Sequence, residues 1–401
     1  MRPSLRDFVL LQVCVGIGSL WVGACGGGNS DGAVGGSAPT TGGAAVGGAA
    51  VVGGAGGGST SGGASGGQVA SGGVPESGGN GAGGGEAVDC NTGELTTRLP
   101  CKLSETGLFV DDQETLAEGV HPYVPQFALW SDGAEKRRWA WLPEGTQIDT
   151  TNMNFWSFPV GTKFWKEFSS EGKRVETRLI EKQKSGTWYT VAYLWQEDQK
   201  EAIAVPDGQV DALGTSHDVP DADMCWTCHS QVTDKALGFS AIQLSHEAEE
   251  PQNALEWTLD KLAAANLLTA PPAQPLEFSS QWSDLERDTL GYLHGNCGTC
   301  HNPQGSANST TGLDMWLKVE DLAKAGAESS VYLGLVGVDI TKMDGNPPGA
   351  PKRVDPGSLA TSAVYQRFMD KDQTWKMPPI ASDVVDTHAK ELLEEFIMSA
   401  E

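Results

Sequence analysis

Two Cys-x-x-Cys-His pentads constrain this chain more than any other feature. They are Cys225-Trp226-Thr227-Cys228-His229 and Cys297-Gly298-Thr299-Cys300-His301, and their first cysteines lie 72 positions apart. Each pentad offers two thiols about one helical turn apart, with an imidazole on the next residue. That spacing suits the two vinyl groups of a haem and places the histidine against its iron. The expectation is two haem c groups, with Cys225, Cys228, Cys297 and Cys300 as thioether positions and His229 and His301 as iron ligands. The competing reading is a four-cysteine zinc centre, since paired Cys-x-x-Cys motifs are also its signature. Against zinc stand the 68 residues between the pairs and the histidine that follows each pair.

A second axial ligand is expected for the later pentad. In Trp375-Lys376-Met377-Pro378-Pro379, Met377 lies 76 residues after His301. Its prolines limit the entropy that the loop loses on ligation, and a thioether raises the potential. Met377 is therefore the predicted ligand, Met343 is its rival, and ordinary packing is the alternative for either. The first pentad has no such methionine, because none lies between Met224 and Met315. Its candidate imidazoles are His217, His246 and His294. His246 is favoured because it is far enough past the pentad for the chain to return across a haem. If none ligates, the iron position is open.

The N-terminus carries Arg2, Arg6 and an apolar run from Phe8 to Val22 that ends in Val22-Gly23-Ala24-Cys25. This resembles a bacterial lipoprotein signal over residues 1–25, with Cys25 acylated, which predicts a cell-envelope protein anchored in the outer membrane and facing the periplasm. A plain secretory signal is the alternative. Residues 26–88 are mostly glycine, alanine, serine, threonine and valine with no lysine or arginine, the composition of a disordered linker. Cys90 and Cys101 are then the remaining thiols in an oxidising compartment, and a disulfide between them is expected. The net charge of -25, from 52 acidic and 27 basic residues, argues against nucleic acid and suits a basic redox partner protein.

The expected fold class is α+β and multidomain. Residues 90–206 show β punctuation at Pro143-Glu144-Gly145, Pro159-Val160-Gly161, Glu171-Gly172 and Ser185-Gly186, and 187–195 alternates with the period of a strand. Their tryptophans are expected in the sheet core. Residues 207–275 form a helical segment with the first pentad. Residues 278–401 read as a mainly α domain resembling class I cytochrome c. There Trp282, Leu285, Thr289, Tyr292 and Leu293 share one helical face, and Val385, Ala389, Leu392, Leu393, Phe396 and Ile397 share another.

From about Lys102 onward the chain resembles a family of bacterial di-haem c-type cytochromes first described as conserved hypothetical proteins. The residues that carry the resemblance are Leu103 to Phe109, Phe158 to Lys163, Glu176-Thr177-Arg178-Leu179, both pentads and Met377-Pro378-Pro379. It implies two haems in this layout. A weaker similarity, through Phe158-Pro159-Val160-Gly161-Thr162 and Lys166-Glu167, is to small cytochromes whose haem is covered by a β-sheet and cross-linked through a lysine. It makes Lys166 the cross-linking candidate, although a solvated lysine is the commoner placement. The expected function is electron transfer. One alternative is a haem enzyme, peroxidase-like or oxidising a small nitrogen compound at an open first haem. The other is a docking module for a dehydrogenase or surface partner. Di-haem peroxidases set their pentads much farther apart.

Overall fold

A computed structural model describes residues 99–110, 114–247, 255–340, 347, 349–370 and 375–400. Cys25, Cys90, Met343, the signal and the linker lie outside the described residues. The structure is of mixed α+β class. Its β part is a six-stranded antiparallel meander in chain order: β1 (His121–Pro122), β2 (Glu135–Trp141), β3 (Lys163–Ser170), β4 (Lys173–Lys182), β5 (Trp188–Trp195) and β6 (Ala202–Ala204). The β3–β4 turn places Glu171 at φ 51° and Gly172 at φ 77°. Two successive positive-φ residues match the right-handed twist of a hairpin, which is why glycine stands there.

Both faces of the sheet are covered. Trp139, Trp165, Leu179 and Val191 are side-by-side partners across β2 to β5, and they pack with Leu99, Leu103 and Leu108. One residue along, Ala140, Phe164 and Ile180 point the other way. They share a core with Phe239, Leu244, Trp257, Leu259 and Leu262. Strand alternation therefore separates two cores, and Trp139, Trp165, Trp188 and Trp195 are all buried, as expected of sheet tryptophans.

The helices are α1 (Ala222–His229), α2 (Leu259–Ala264), α3 (Asp284–Asn296), α4 (Ser306–Thr311), α5 (Ser330–Leu335), α6 (Ala363–Met369) and α7 (Thr387–Ser399). A capping box between Ser283 and Glu286 starts α3, and the Asp386 side chain caps α7. These two helices pack together. Leu290 and Leu293 of one share a core with Ala389, Leu393, Phe396 and Ile397 of the other, so the two apolar stripes meet. Phe127 belongs to the same core, and its ring lies directly over Gly291 of α3. A Cβ there would come within 2.0 Å of Phe127 Cε1. The segments delimited in the sequence at 206 and 275 thus share cores: the sheet packs with residues 239–268, and Phe127 and Ile242 pack with α3 and α7.

Candidate functional site

The first pentad occupies most of α1. Asp221 caps the helix by accepting from Met224 N at 2.7 Å, and the i, i+3, i+4 spacing puts Cys225, Cys228 and His229 on one face. His229 Nδ1 donates to the Lys235 carbonyl at 2.6 Å. That contact selects the tautomer and leaves Nε2 as the free lone pair, as in metal-ligating histidines. Burial lowers the pKa of His229 to about 4, so the ring is neutral at physiological pH. Residues 233–236, which carry the Lys235 carbonyl, are fastened to the sheet by Asp234. Its carboxylate accepts from Lys182 Nζ at 2.6 Å, from Trp188 Nε1 at 2.7 Å and from the Phe158 amide.

The second pentad begins at the C-cap of α3. Cys300 N and His301 N both donate to the Cys297 carbonyl, at 3.1 and 2.9 Å, so the chain completes another turn. Burial lowers the pKa of His301 to about 4 and raises that of the Cys297 thiol to about 12. His301 Nδ1 is buried beside the Leu313 backbone without a well-formed hydrogen bond. It is the kind of orphaned ring that ligation on its other nitrogen would hold in place.

The two pentads meet. The Cys228 and Cys300 thiols are in hydrogen-bonding contact, which lowers the pKa of Cys228 and raises that of Cys300. Asn302 Nδ2 donates to the Gln231 carbonyl at 3.1 Å, and Ser306 N donates to Gln231 Oε1 at 2.8 Å. Thr233 and Gln304 add a third link between the two loops. All four pentad cysteines are free. Among the described residues, no group of three or more histidine, cysteine or acidic side chains is placed to hold a bare metal ion. The four sulfurs therefore do not form a tetrahedral site.

Two cavities flank the pair. The larger, about 340 Å³, is lined by Cys297, Cys300 and His301 on one side and by Met377, Pro378 and Phe368 among others. Its size falls in the range of roughly 300–1,000 Å³ usual for ligand and cofactor pockets. Met377 lies in the same cavity as His301. Met315 lies there too and is almost fully buried. Nothing local distinguishes Met315 in the sequence. Its backbone N–H bonds the His301 carbonyl at 2.7 Å, which brings it to the site.

The smaller cavity, about 50 Å³, lies between His229 and the sheet and is lined by Tyr123, Phe164, Lys166, Arg178 and Thr190 among others. Lys166, expected in solvent, is half-buried in it. The strand register turns it inward, and burial together with Arg138, Arg178 and Lys136 pulls its pKa well down. The expected distal imidazoles are elsewhere. His246 Nε2 contacts Glu256 at 3.1 Å and does not line the cavity. His217 Nε2 contacts Glu176 at 2.7 Å, and His294 Nδ1 accepts from Leu317 N at 3.1 Å. The return across the pentad expected of His246 ends on a carboxylate. Cys101 is disulfide-bonded, its partner lying outside the described residues.

The fit to haem differs between the centres. At the second, thiols, imidazole, thioether and an apolar cavity converge. At the first, the thiols and an anchored imidazole are present, but the cavity beside His229 is far smaller and neither Cys225 nor Cys228 lines it. Fold and site define an α+β protein with two Cys-x-x-Cys-His centres in contact. Compared with family models, with curated proteins and with solved structures, the chain matches none.

Proposed function

We propose that this chain is an exported di-haem c-type cytochrome that transfers electrons, a member of the family it resembles in sequence. The observation that carries the reading is the cavity holding Cys297, Cys300, His301 and Met377 together. When bound, haem supplies reversible one-electron chemistry. The chain's own contribution is to hold and tune. Neutral buried histidines present lone pairs, Met377 offers a thioether that favours a high potential, and the apolar walls exclude water. Arg353 and Arg367 line the same cavity and supply positive charge for carboxylates. The hydrogen bonds of Asn302 and Ser306 to Gln231 keep the two centres adjacent, as passage of an electron between them requires. Export, acylation at Cys25, an envelope location and a basic redox partner belong to the same proposal. Among the described residues no helix is long and apolar enough to cross a membrane.

A second reading rests on one observation: Lys166 and Arg178 share the small cavity with His229, and none of His217, His246 or His294 lines it. A position left without a protein ligand suits an enzyme acting on a small nitrogen compound or peroxide. Mass spectrometry of the purified full chain, with spectra of the oxidised, reduced and carbon monoxide-treated protein, tests both. Two added haem masses with no carbon monoxide shift support the carrier. Two haem masses with prompt carbon monoxide binding favour the enzyme. A polypeptide mass without added haem overturns both.

A further inference from the structure

We propose that Arg138, Lys166 and Arg178 form a binding site for a small anionic oxygen ligand, a carboxylate or oxyanion, on the inner face of the sheet. The site adjoins the first pentad, and in that placement alone it rests on the proposed function. Arg138 faces Lys166 across β2 and β3, and Lys166 faces Arg178 across β3 and β4. Directly opposed residues on neighbouring strands have Cβ atoms about 4.5–5.5 Å apart, and like charges so placed repel. Lys136 stands two residues from Arg138 on the same face. Four cations thus gather on the sheet of a chain whose net charge is -25.

The carboxylates present do not balance them. Glu176 is fully buried and accepts from Arg178 Nε at 2.8 Å and again from Arg178 Nη2, while also receiving His217 at 2.7 Å. Among the described residues, no carboxylate is hydrogen-bonded to Arg138 or Lys166. Arg138 is only 8% exposed, and its buried Nη2 has no hydrogen-bond partner. A guanidinium does not shed its proton in a protein, and a buried charge without a partner is strongly unfavourable. Native structures leave such groups unpaired rarely, and a missing ligand is one standard reason. Lys166 is held near the row by the Phe168 ring, 4.7 Å away, which offers a cation only a weak neighbour.

The adjoining space has the right size. The cavity that Lys166 and Arg178 line is about 50 Å³, room for an ion of a few heavy atoms. Tyr123 lines it too, and the Arg138 charge acts on Tyr123. An anion there meets the Lys166 ammonium and the part of the Arg178 guanidinium that Glu176 does not take, with Arg138 next in the row. The same chemistry has two sources: a free small carboxylate or oxyanion, and the propionates of a haem held by the first pentad.

The test uses the haem-loaded full chain alongside Arg138→Gln and Lys166→Gln, melted with increasing formate at constant ionic strength. With a free-anion site, the melting temperature of the wild type rises by about 5 °C at a hundredfold excess of formate over its Kd, and neither variant responds. With a propionate-filled site, formate does nothing, and Arg138→Gln shifts the propionate bending bands of one haem in the resonance Raman spectrum. Lys166→Gln gives the same readouts should Arg138→Gln fail to fold. A formate response retained in both variants, or no response together with unchanged Raman bands, overturns the proposal. A chain that proves to lack haem defeats the cytochrome reading, while the formate response still decides the anion site.

Discussion

Replacing Asp234 tests how the first centre is held. Its carboxylate takes three donors, Lys182, Trp188 and the Phe158 amide, and the next residue supplies the carbonyl that receives His229 Nδ1. Lys182 and Asp234 are 15% and 12% exposed, so the pair is close to buried. Breaking a buried ion pair from one side costs roughly 3–5 kcal/mol, because the other charge stays behind. Residual solvent contact puts this pair at the lower end, about 3 kcal/mol, and the stranded Trp188 N–H adds about 1 kcal/mol. Asp234 also sits at φ 53°, a conformation that costs alanine roughly 1–2 kcal/mol but that asparagine tolerates. Asp234→Ala should therefore lose about 5 kcal/mol and melt roughly 10 °C lower, at about 2 °C per kcal/mol for a domain of this size. Asp234→Asn, which keeps the backbone and an acceptor oxygen, should lose about half as much. Melting followed by circular dichroism gives these numbers. On the proposed di-haem reading, electron paramagnetic resonance gives a readout that simple destabilisation does not move: a freed imidazole plane should change the g-values of one haem and leave the other alone. An Asp234→Ala protein that melts within 2 °C of the wild type with unchanged g-values would refute the reasoning.

On the proposed di-haem reading, Met377→Ala should abolish a weak thioether-to-iron absorption band at the red end of the oxidised spectrum, while Met315→Leu should leave it in place; the reverse result assigns the thioether to Met315. Burial lowers the pKa of His294 to about 3, below the unfolded value of about 6.5, so the unfolded chain binds the extra proton first. His294 therefore contributes stability that is complete above pH 6.5 and is lost as the pH falls toward 3. At pH 4.5 the loss is about 2.7 kcal/mol, at 1.36 kcal/mol per unit. Denaturant titrations at pH 7 and pH 4.5 should show His294→Gln less sensitive to acid than the wild type, and equal sensitivity would remove His294 as the cause. Gly291→Ala should destabilise the chain by about 2–3 kcal/mol, because the Cβ meets the Phe127 ring at 2.0 Å and overpacking a dense core costs that much. Adding Phe127→Leu should recover part of the loss in urea unfolding, and a Gly291→Ala protein as stable as the wild type would show that the ring does not rest there.

What could be read along the chain is what short-range chemistry dictates. Two residues between cysteines, a histidine next in line, Glu171-Gly172 where a hairpin turns, and the apolar stripe of α7 all follow from spacings of a few residues, and the structure keeps each of them. The sheet tryptophans and the meeting of α3 with α7 were legible for the same reason, since apolar periodicity names the face that must be buried. The placement of His246 was not legible. Whether His246 reaches a pentad or Glu256 depends on how a long loop closes, which its own residues leave open. Nor does any local pattern join Lys166 to Arg138 and Arg178, because strand register sets that row and a slip of one residue would turn all three to the other core. The net charge of -25 gives no hint of it, being a sum over a surface that the row does not share. The contact of Cys228 with Cys300 and the seating of Phe127 on Gly291 likewise belong to the tertiary structure alone. Each joins residues far apart in the chain, and close packing of whole elements, not the preference of any segment, brings them together.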